Sequence, residues 1–263
     1  APVVINVMSN DTDIDSALDP LSVVITTTPP GATLSLDGKT LTVPGQGVWA
    51  VDPATGAITF TPVADFNGTP APISYQVADV GGLLSNTVSV SVTITPINDA
   101  PIVDLNSVAT AADTARDHAT IFTEGDAPLP VAPAGDVSDI GENDIASLKI
   151  AIAGILDGAF EVVAIGGTTF NPTVTSSAII TIGGTDFQVT YTAGSAGTGT
   201  FFIQQVGGGA IPHADLDALV QSVTYANIDQ MPVAGNRTLT FTAKDLSNAT
   251  SAPAVATIAV VPV

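Results

Sequence analysis

Between residues 86 and 95, apolar and polar side chains alternate. Val88, Val90, Val92 and Ile94 fall on one side of an extended chain, and Ser89, Ser91, Thr93 and Thr95 on the other. A period of two predicts a strand with one buried and one wet face. Shorter runs of the same kind predict strands at 21–27, 39–43, 57–61 and 73–78. Pro29-Pro30-Gly31, Asp37-Gly38, Asp52-Pro53, Asn67-Gly68 and Gly81-Gly82 fall between these runs and read as turns. Many short strands separated by turns in so short a stretch predict an antiparallel sandwich.

The segment Thr95-Pro96-Ile97-Asn98-Asp99-Ala100-Pro101 interrupts the alternation and reads as a linker, because proline stops strand pairing on both sides. Strands are predicted to resume at 102–105, 119–123, 147–154, 159–165, 176–182, 186–192, 199–205, 238–243 and 254–261. One short helix is expected at 214–221, with Leu216, Leu219 and Val220 on one face. The fold expected is therefore all-β, two tandem antiparallel β-sandwich domains of immunoglobulin or cadherin type, divided as 1–98 and 99–263. The opening "APVVINV" resembles "NDAPIVDL" at the linker, and the closing "ATIAVVPV" resembles the end of the first module. Both ends thus read as cuts at equivalent points of a repeating array.

Composition narrows the function. Among 263 residues there are 25 Asp plus Glu against 5 Lys plus Arg, a net charge of −20. Nucleic acid and anionic membrane surfaces are poor partners for such a chain. No apolar run has the length of a membrane span, so no membrane insertion is expected. The absence of cysteine removes disulfides and thiolate metal sites. Nearly all the acids are Asp, and several are clustered, which points toward divalent cations. The densest run is Asn10-Asp11-Thr12-Asp13-Ile14-Asp15, where Asp11, Asp13 and Asp15 alternate beside Asn10. Calcium takes six to eight hard oxygens in flexible geometry, which such a run supplies, although the glycine and distal glutamate of an EF-hand loop are missing. The competing reading is a polar loop of Asx-turns.

Other motifs carry less. In His213-Ala214-Asp215-Leu216-Asp217 the two acids read as first-turn residues favoured by the helix dipole. His118 and His213 are the only histidines, too few for a histidine-rich zinc site. No G-x-S-x-G elbow occurs, and Gly207-Gly208-Gly209 lacks the lysine of a phosphate loop. The chain is not expected to be an enzyme.

Residues 41–95 carry Gly47, Trp49, Asp52, Gly56, Phe60, Pro62, Phe66, Gly68, Tyr75, Val77 and Asp79 in an order that resembles the CshA-type fibril repeat of bacterial surface adhesins. Trp49, Phe60, Phe66 and Tyr75 would then fill the space between two sheets. Residues 98–263 carry Thr123-Glu124-Gly125, Ser138 to Asp144, Val223 to Asp229 and Arg237 to Asp245, and resemble the bacterial cadherin-like modules of large type I-secreted adhesins of the RTX type. That resemblance implies calcium ligands at Asp79 in the first module. For the second it implies the linker pair Asn98 and Asp99 with Asp139, Asn143 or Asp144, and Asp245. Asp136 and Glu142 are weaker candidates, and Glu124 would serve the module's opposite end. It further implies a monomeric extender at the bacterial cell surface, its joints stiffened by calcium and its partners the neighbouring repeats of the same chain. The alternative is that the second module, unusually long, itself binds a host or surface peptide or glycan through loops 166–177 and 193–200.

Overall fold

A computed structural model describes residues 1–106, 116–140 and 144–263. The chain divides into two units, Ala1–Ile97 and Asn98–Val263. Apart from one helix and two 3₁₀ turns, the described regular structure is all strand.

The first unit contains β1 (Val3–Ile5), β2 (Leu18–Ile25), β3 (Thr33–Leu34), β4 (Thr40–Val43), β5 (Gly47–Val51), β6 (Ile58–Pro62), β7 (Ile73–Asp79) and β8 (Val88–Val90). One antiparallel sheet runs β1-β6-β5-β4-β3 and another runs β2-β7-β8. Inward residues from both build one core, with Leu41, Trp49, Ile58, Phe60, Ile73 and Val23 sealed from solvent and Phe66 half-buried at its margin. The Trp49 and Phe60 rings pack 4.7 Å apart, and Phe66 meets Phe60 edge-on at 6.1 Å. Gly47 makes this packing possible. Its φ is +154°, and a Cβ there would lie 2.3 Å from the Thr61 carbonyl oxygen and 2.7 Å from the Phe60 ring.

The alternation at 86–95 yields a shorter strand than it predicts. Pairing with β7 ends at Ile73↔Val90, and Val88 is 39% exposed. Continuing the register would set Ser91 to Thr93 against Pro72, Ala71 and Pro70, and the prolines have no N–H to give. Only the bridge Gly68↔Ile94 carries the pairing further.

The second unit contains β9 (Ile102–Asp104), β10 (His118–Thr123), β11 (Leu129–Pro130), β12 (Asp136–Ser138), β13 (Ile145–Ala153), β14 (Glu161–Ile165), β15 (Thr168–Phe170), β16 (Ser176–Ile182), β17 (Thr185–Ala193), β18 (Gly199–Gln205), α1 (His213–Gln221), β19 (Thr224–Asn227), β20 (Gly235–Asp245) and β21 (Ala254–Val261). A seven-stranded sheet runs β10-β21-β20-β13-β18-β17-β16. A four-stranded sheet runs β11-β19-β14-β15, and β9 pairs with β12. All pairings are antiparallel except β10 with β21. Between the layers, Phe122, Phe187, Tyr191, Phe201, Tyr225 and Phe241 are fully buried. Leu216, Leu219 and Val220 of α1 close this core, as their spacing on one helix face predicts.

Candidate metal centre

The two units share one local device at the end of a long strand. Asp79 closes β7 and Asp245 closes β20. The Asp79 N–H donates to the Leu83 carbonyl at 3.0 Å, and the Asp245 N–H donates to the Ala249 carbonyl at 3.1 Å. In return Leu83 N–H donates to Asp79 Oδ1, and Ala249 N–H to Asp245 Oδ1, both at 2.8 Å. Two residues further, the hydroxyl oxygens of Ser85 and Ser251 accept from Val77 N–H at 3.1 Å and from Ala243 N–H at 3.0 Å. One carboxylate oxygen is thus tied to the backbone in each hairpin, and the side chain is aimed before any ligand arrives. Asp79 is in phase with the inward residues Ile73, Tyr75 and Val77, and Asp245 with Leu239, Phe241 and Ala243, so both carboxylates are buried, 7% and 1% exposed.

Around Asp245 the second unit collects more acid. Asp139 follows β12, and Asp144 immediately precedes β13, where its carbonyl accepts from Leu246 N–H at 2.9 Å. One carboxylate oxygen each from Asp139, Asp144 and Asp245 lies within 4.8 Å of the others. Asn98 reaches the same place, its Nδ2 donating to Asp245 Oδ2 at 2.8 Å and to the Asp99 carbonyl at 2.9 Å. Asn98 Oδ1 and Asp144 Oδ1 are buried and, among the described residues, receive no hydrogen bond. A buried oxygen without a donor is costly unless a cation serves it. Asp99 is exposed, and the contact it makes here runs through its backbone carbonyl. Asn143 and Glu142 lie outside the described residues.

These donors fit a hard divalent cation. Calcium–oxygen distances of about 2.3–2.6 Å place ligands on opposite sides of one ion roughly 5 Å apart, and the carboxylate oxygens fall inside that span. The three grouped side chains offer only carboxylate oxygens, which calcium prefers over zinc; Asn98, whose amide nitrogen faces Asp245, would add its Oδ1 once the amide turns over.

The acids of the first unit are arranged differently. Asp13 Oδ1 accepts Asp15 N–H at 3.0 Å, Ser16 N–H at 2.7 Å and the Ser16 hydroxyl at 3.1 Å. These backbone donors lower the Asp13 pKa, and a side-chain hydrogen bond with Asp13, reinforced by its charge, raises that of Asp15. Ser16 also donates to Asp79 Oδ2 at 2.8 Å. The N–H of Leu83 and the Ser16 hydroxyl hold the Asp79 carboxyl below its usual range. Asp11 Oδ2 accepts the Tyr75 hydroxyl at 2.8 Å, and burial together with Asp11 pushes the phenol up to about 12. Asn10 and Asp11 line a cavity of about 260 Å³ with Tyr75, Ser85 and Asn86. Asp13, Asp15 and Asp79 meet around Ser16, while Asp11 is held at Tyr75. Among the described residues, only Asp139, Asp144 and Asp245 bring three acidic oxygens within 4.8 Å.

The two acids of α1 differ in place. The helix begins at His213, and Asp215 lies in its first turn, as expected, where it also accepts the Thr185 hydroxyl at 2.5 Å. Asp217 lies beyond the first turn and accepts Val137 N–H of β12 at 2.8 Å, next to Asp136. Burial, reinforced by the Asp136 charge, raises its pKa to about 6. A carboxyl with its folded pKa above the unfolded value of 3.8 adds stability that is complete below about pH 3.8 and lost as pH rises through 6. Asp217→Asn keeps an acceptor for Val137 and removes the charge. It is expected to stabilise the second unit at pH 7 by about 1–2 kcal/mol, allowing for partial exposure, with the gain vanishing near pH 4. Urea titrations at both pH values check this. At the far end, Glu124 Oε2 accepts the Val263 N–H at 3.0 Å.

The second unit also holds a buried ion network. Arg237 and Glu161 have no exposed side-chain surface, and Asp157 has 2%. Arg237 Nη2 donates to Asp157 Oδ2 at 2.8 Å and to Glu161 Oε1 at 3.0 Å, while Nη1 caps the carbonyls of Val233 and Gly235. The Tyr225 hydroxyl and the N–H groups of Leu156 and Asp157 complete Glu161. The signal was present in the sequence: Arg237 is in phase with Leu239, Phe241 and Ala243, and Glu161 with Val163 and Ile165.

Comparison with known proteins bears on the first unit. No curated protein matches the chain. Solved structures align at low similarity, two of them as follows. One is "Zebrafish RET Cadherin Like Domains 1 to 4", at 12% identity and a TM-score of 0.25, covering 92% of this chain and 41% of that one. The chain thus spans about two fifths of that structure. The other is "Complete structure of manganese lipoxygenase of Gaeumannomyces graminis and partial structure of zonadhesin of Komagataella pastoris", at 9% identity and a TM-score of 0.20, covering 98% of this chain and 80% of that one. Residues 19–94 match the family described as the surface adhesin CshA repetitive domain. Over those residues the first unit is similar to a surface adhesin repeat.

Proposed function

We propose that the chain is a calcium-stabilised extender segment of a bacterial cell-surface adhesin, acting as a spacer outside the cell and not as a catalyst. The observation that carries this reading is the convergence of Asp139, Asp144 and Asp245 with the undonated oxygen of Asn98. The similarity of residues 19–94 to an adhesin repeat supports the surface role.

Asn98, Asp139, Asp144 and Asp245 would hold the ion, with the Asp99 carbonyl beside them. The ion would cancel the repulsion among carboxylates brought within 4.8 Å of one another. Because Asn98 opens the segment Asn98-Asp99-Ala100-Pro101, a cation there would fasten that segment to β13 and β20. A segment with two prolines within six residues and no core of its own has few other restraints. Asp13, Asp15 and Asp79 would form a second, weaker site after Ser16 yields its bonds. Neighbouring repeats of the same chain are the partners this role requires.

Calcium sites of extracellular modules bind with dissociation constants of about 0.1–1 mM. A hundredfold excess of calcium over such a constant adds about 2.7 kcal/mol per site, which raises the melting temperature by roughly 5–10 °C in a unit of this size. Magnesium, which demands a tighter octahedron, should do much less. Thermal melts in chelator and in calcium, for the wild type and for Asp144→Asn, provide the test. The wild type should gain and the variant should lose most of that gain. Coincident melting curves in chelator and calcium would rule the reading out.

A further inference from the structure

We propose that the free edge of β16 is a homotypic pairing surface, through which a second copy of this chain adds its own β16 antiparallel to the first. β16 ends the seven-stranded sheet. It joins β17 through the two-residue turn Gly183-Gly184, and the register Ile182↔Thr185, Ile180↔Phe187, Ala178↔Val189 runs without a bulge. In such a hairpin the pair flanking the turn exchanges hydrogen bonds, as does every second pair beyond it. Ile182, Ile180, Ala178 and Ser176 therefore spend their backbone groups on β17. Ser177, Ile179 and Thr181 point theirs outward, and among the described residues no backbone bond reaches them.

The other open edges of the unit's two main sheets are guarded. β10 is entered through Arg116, Asp117 and His118 and left through Glu124 and Asp126. β11 has two residues and ends in Pro130. β15 has three and runs into Asn171-Pro172. Charge, proline and shortness are the usual protections of an edge. From Thr173 to Ile182 the β16 segment has none of them: no charged residue, no proline, and a full seven-residue strand rich in Ile, Thr and Ser. Ile179 stands 61% exposed at its centre.

The seam itself is uncharged. Two chains of net charge −20 repel over most of their surfaces, and an uncharged seam is where they can approach. The seam is also self-complementary. A two-fold axis through Ile179 sets Ile179 against its own copy, Ser177 against Thr181 and Ala178 against Ile180. Every outward N–H and C=O of Ser177, Ile179 and Thr181 then finds a partner. Asp186 lies one strand inward, bonded to the Thr181 hydroxyl, and Asp215 lies against Gly183 at the turn beyond the strand; β16 itself carries no acid.

The axis through Ile179 gives a specific test on the full chain by sedimentation equilibrium. The wild type should self-associate reversibly. Ile179→Lys and Ile179→Glu each place like charges opposite one another, and each should associate at least about tenfold more weakly. An equimolar mixture of the two variants should recover association, because Lys then faces Glu. Ile121→Lys, a similarly exposed isoleucine on β10 (65%), should associate as the wild type does. A wild type that stays monomeric overturns the proposal, leaving at most an extended peptide from another protein as occupant of this edge. So do variants that associate as the wild type does, or a mixture that fails to recover. Matching melting curves for wild type and variants exclude misfolding as the cause. Calcium dependence is not expected, so this outcome is separable from the metal site.

Discussion

Arg237→Met is expected to destabilise the second unit by about 3–5 kcal/mol. The methionine fills a similar volume, so the loss is chiefly electrostatic. Glu161 and Asp157 are left with 0% and 2% side-chain exposure and without their cation. Neutral donors to Glu161 from Leu156, Asp157 and Tyr225 remain, as does the Asn227 amide to Asp157, and they limit the penalty without removing it. Exchanging Glu161 and Asp157 as well for apolar residues should restore part of the loss, because the costly feature is an unpaired buried charge and not the absence of a salt bridge. Urea unfolding followed by Tyr fluorescence reads this directly. A change under about 1 kcal/mol would show that water reaches the network.

Trp49→Ala is expected to cost the first unit about 3–5 kcal/mol, a large share of the stability of a module this small. Trp49 is sealed between the sheets and stacks at 4.7 Å on Phe60, itself closed over by Phe66. Removing the indole leaves a cavity that Gly47, pressed against the Phe60 ring, cannot help to fill. Trp49→Phe should cost far less. The indole Nε1 is buried without an acceptor among the described residues, so the smaller ring also discards an unmet donor. Unfolding midpoints in urea for the three proteins should fall in the order wild type, Phe, Ala, with the largest drop at Ala.

Most of the fold was legible because hydrophobic periodicity is a local signal. The strands at 73–78, 176–182, 186–192 and 199–205 follow from alternation within a residue or two, and the helix at 214–221 from the spacing of Leu216, Leu219 and Val220. Short strands were not, since β3, β11 and β15 have two or three residues and no period to detect. The truncation of β8 depended on its neighbour, where Pro70 and Pro72 withhold their donors. The site was legible only in part. Asp79 and Asp245 sit at strand ends in phase with buried residues, a pattern visible in the sequence. The approach of Asp139 and Asp144 to Asp245 depends on how β12, β13 and β20 are brought together, which no local pattern encodes. Linear density of acids was a weaker guide than topology. The run from Asn10 to Asp15 has the most carboxylates, yet Asp13 turns back on Asp15 and Ser16, and Asp11 serves Tyr75. The network of Arg237 is visible only by strand phase, because charge in a strand ordinarily marks an outward residue and Arg237 is buried.

The central claim is that one calcium ion belongs among Asn98, Asp139, Asp144 and Asp245. A crystal grown in calcium, with anomalous differences measured at long wavelength, tests it most directly. The account predicts a peak within about 2.3–2.6 Å of oxygens from these four residues. Asp139, Asp144 and Asp245 should keep the side-chain placement described above. A map with no peak there, or with the three carboxylates turned away from one another toward solvent, would contradict it.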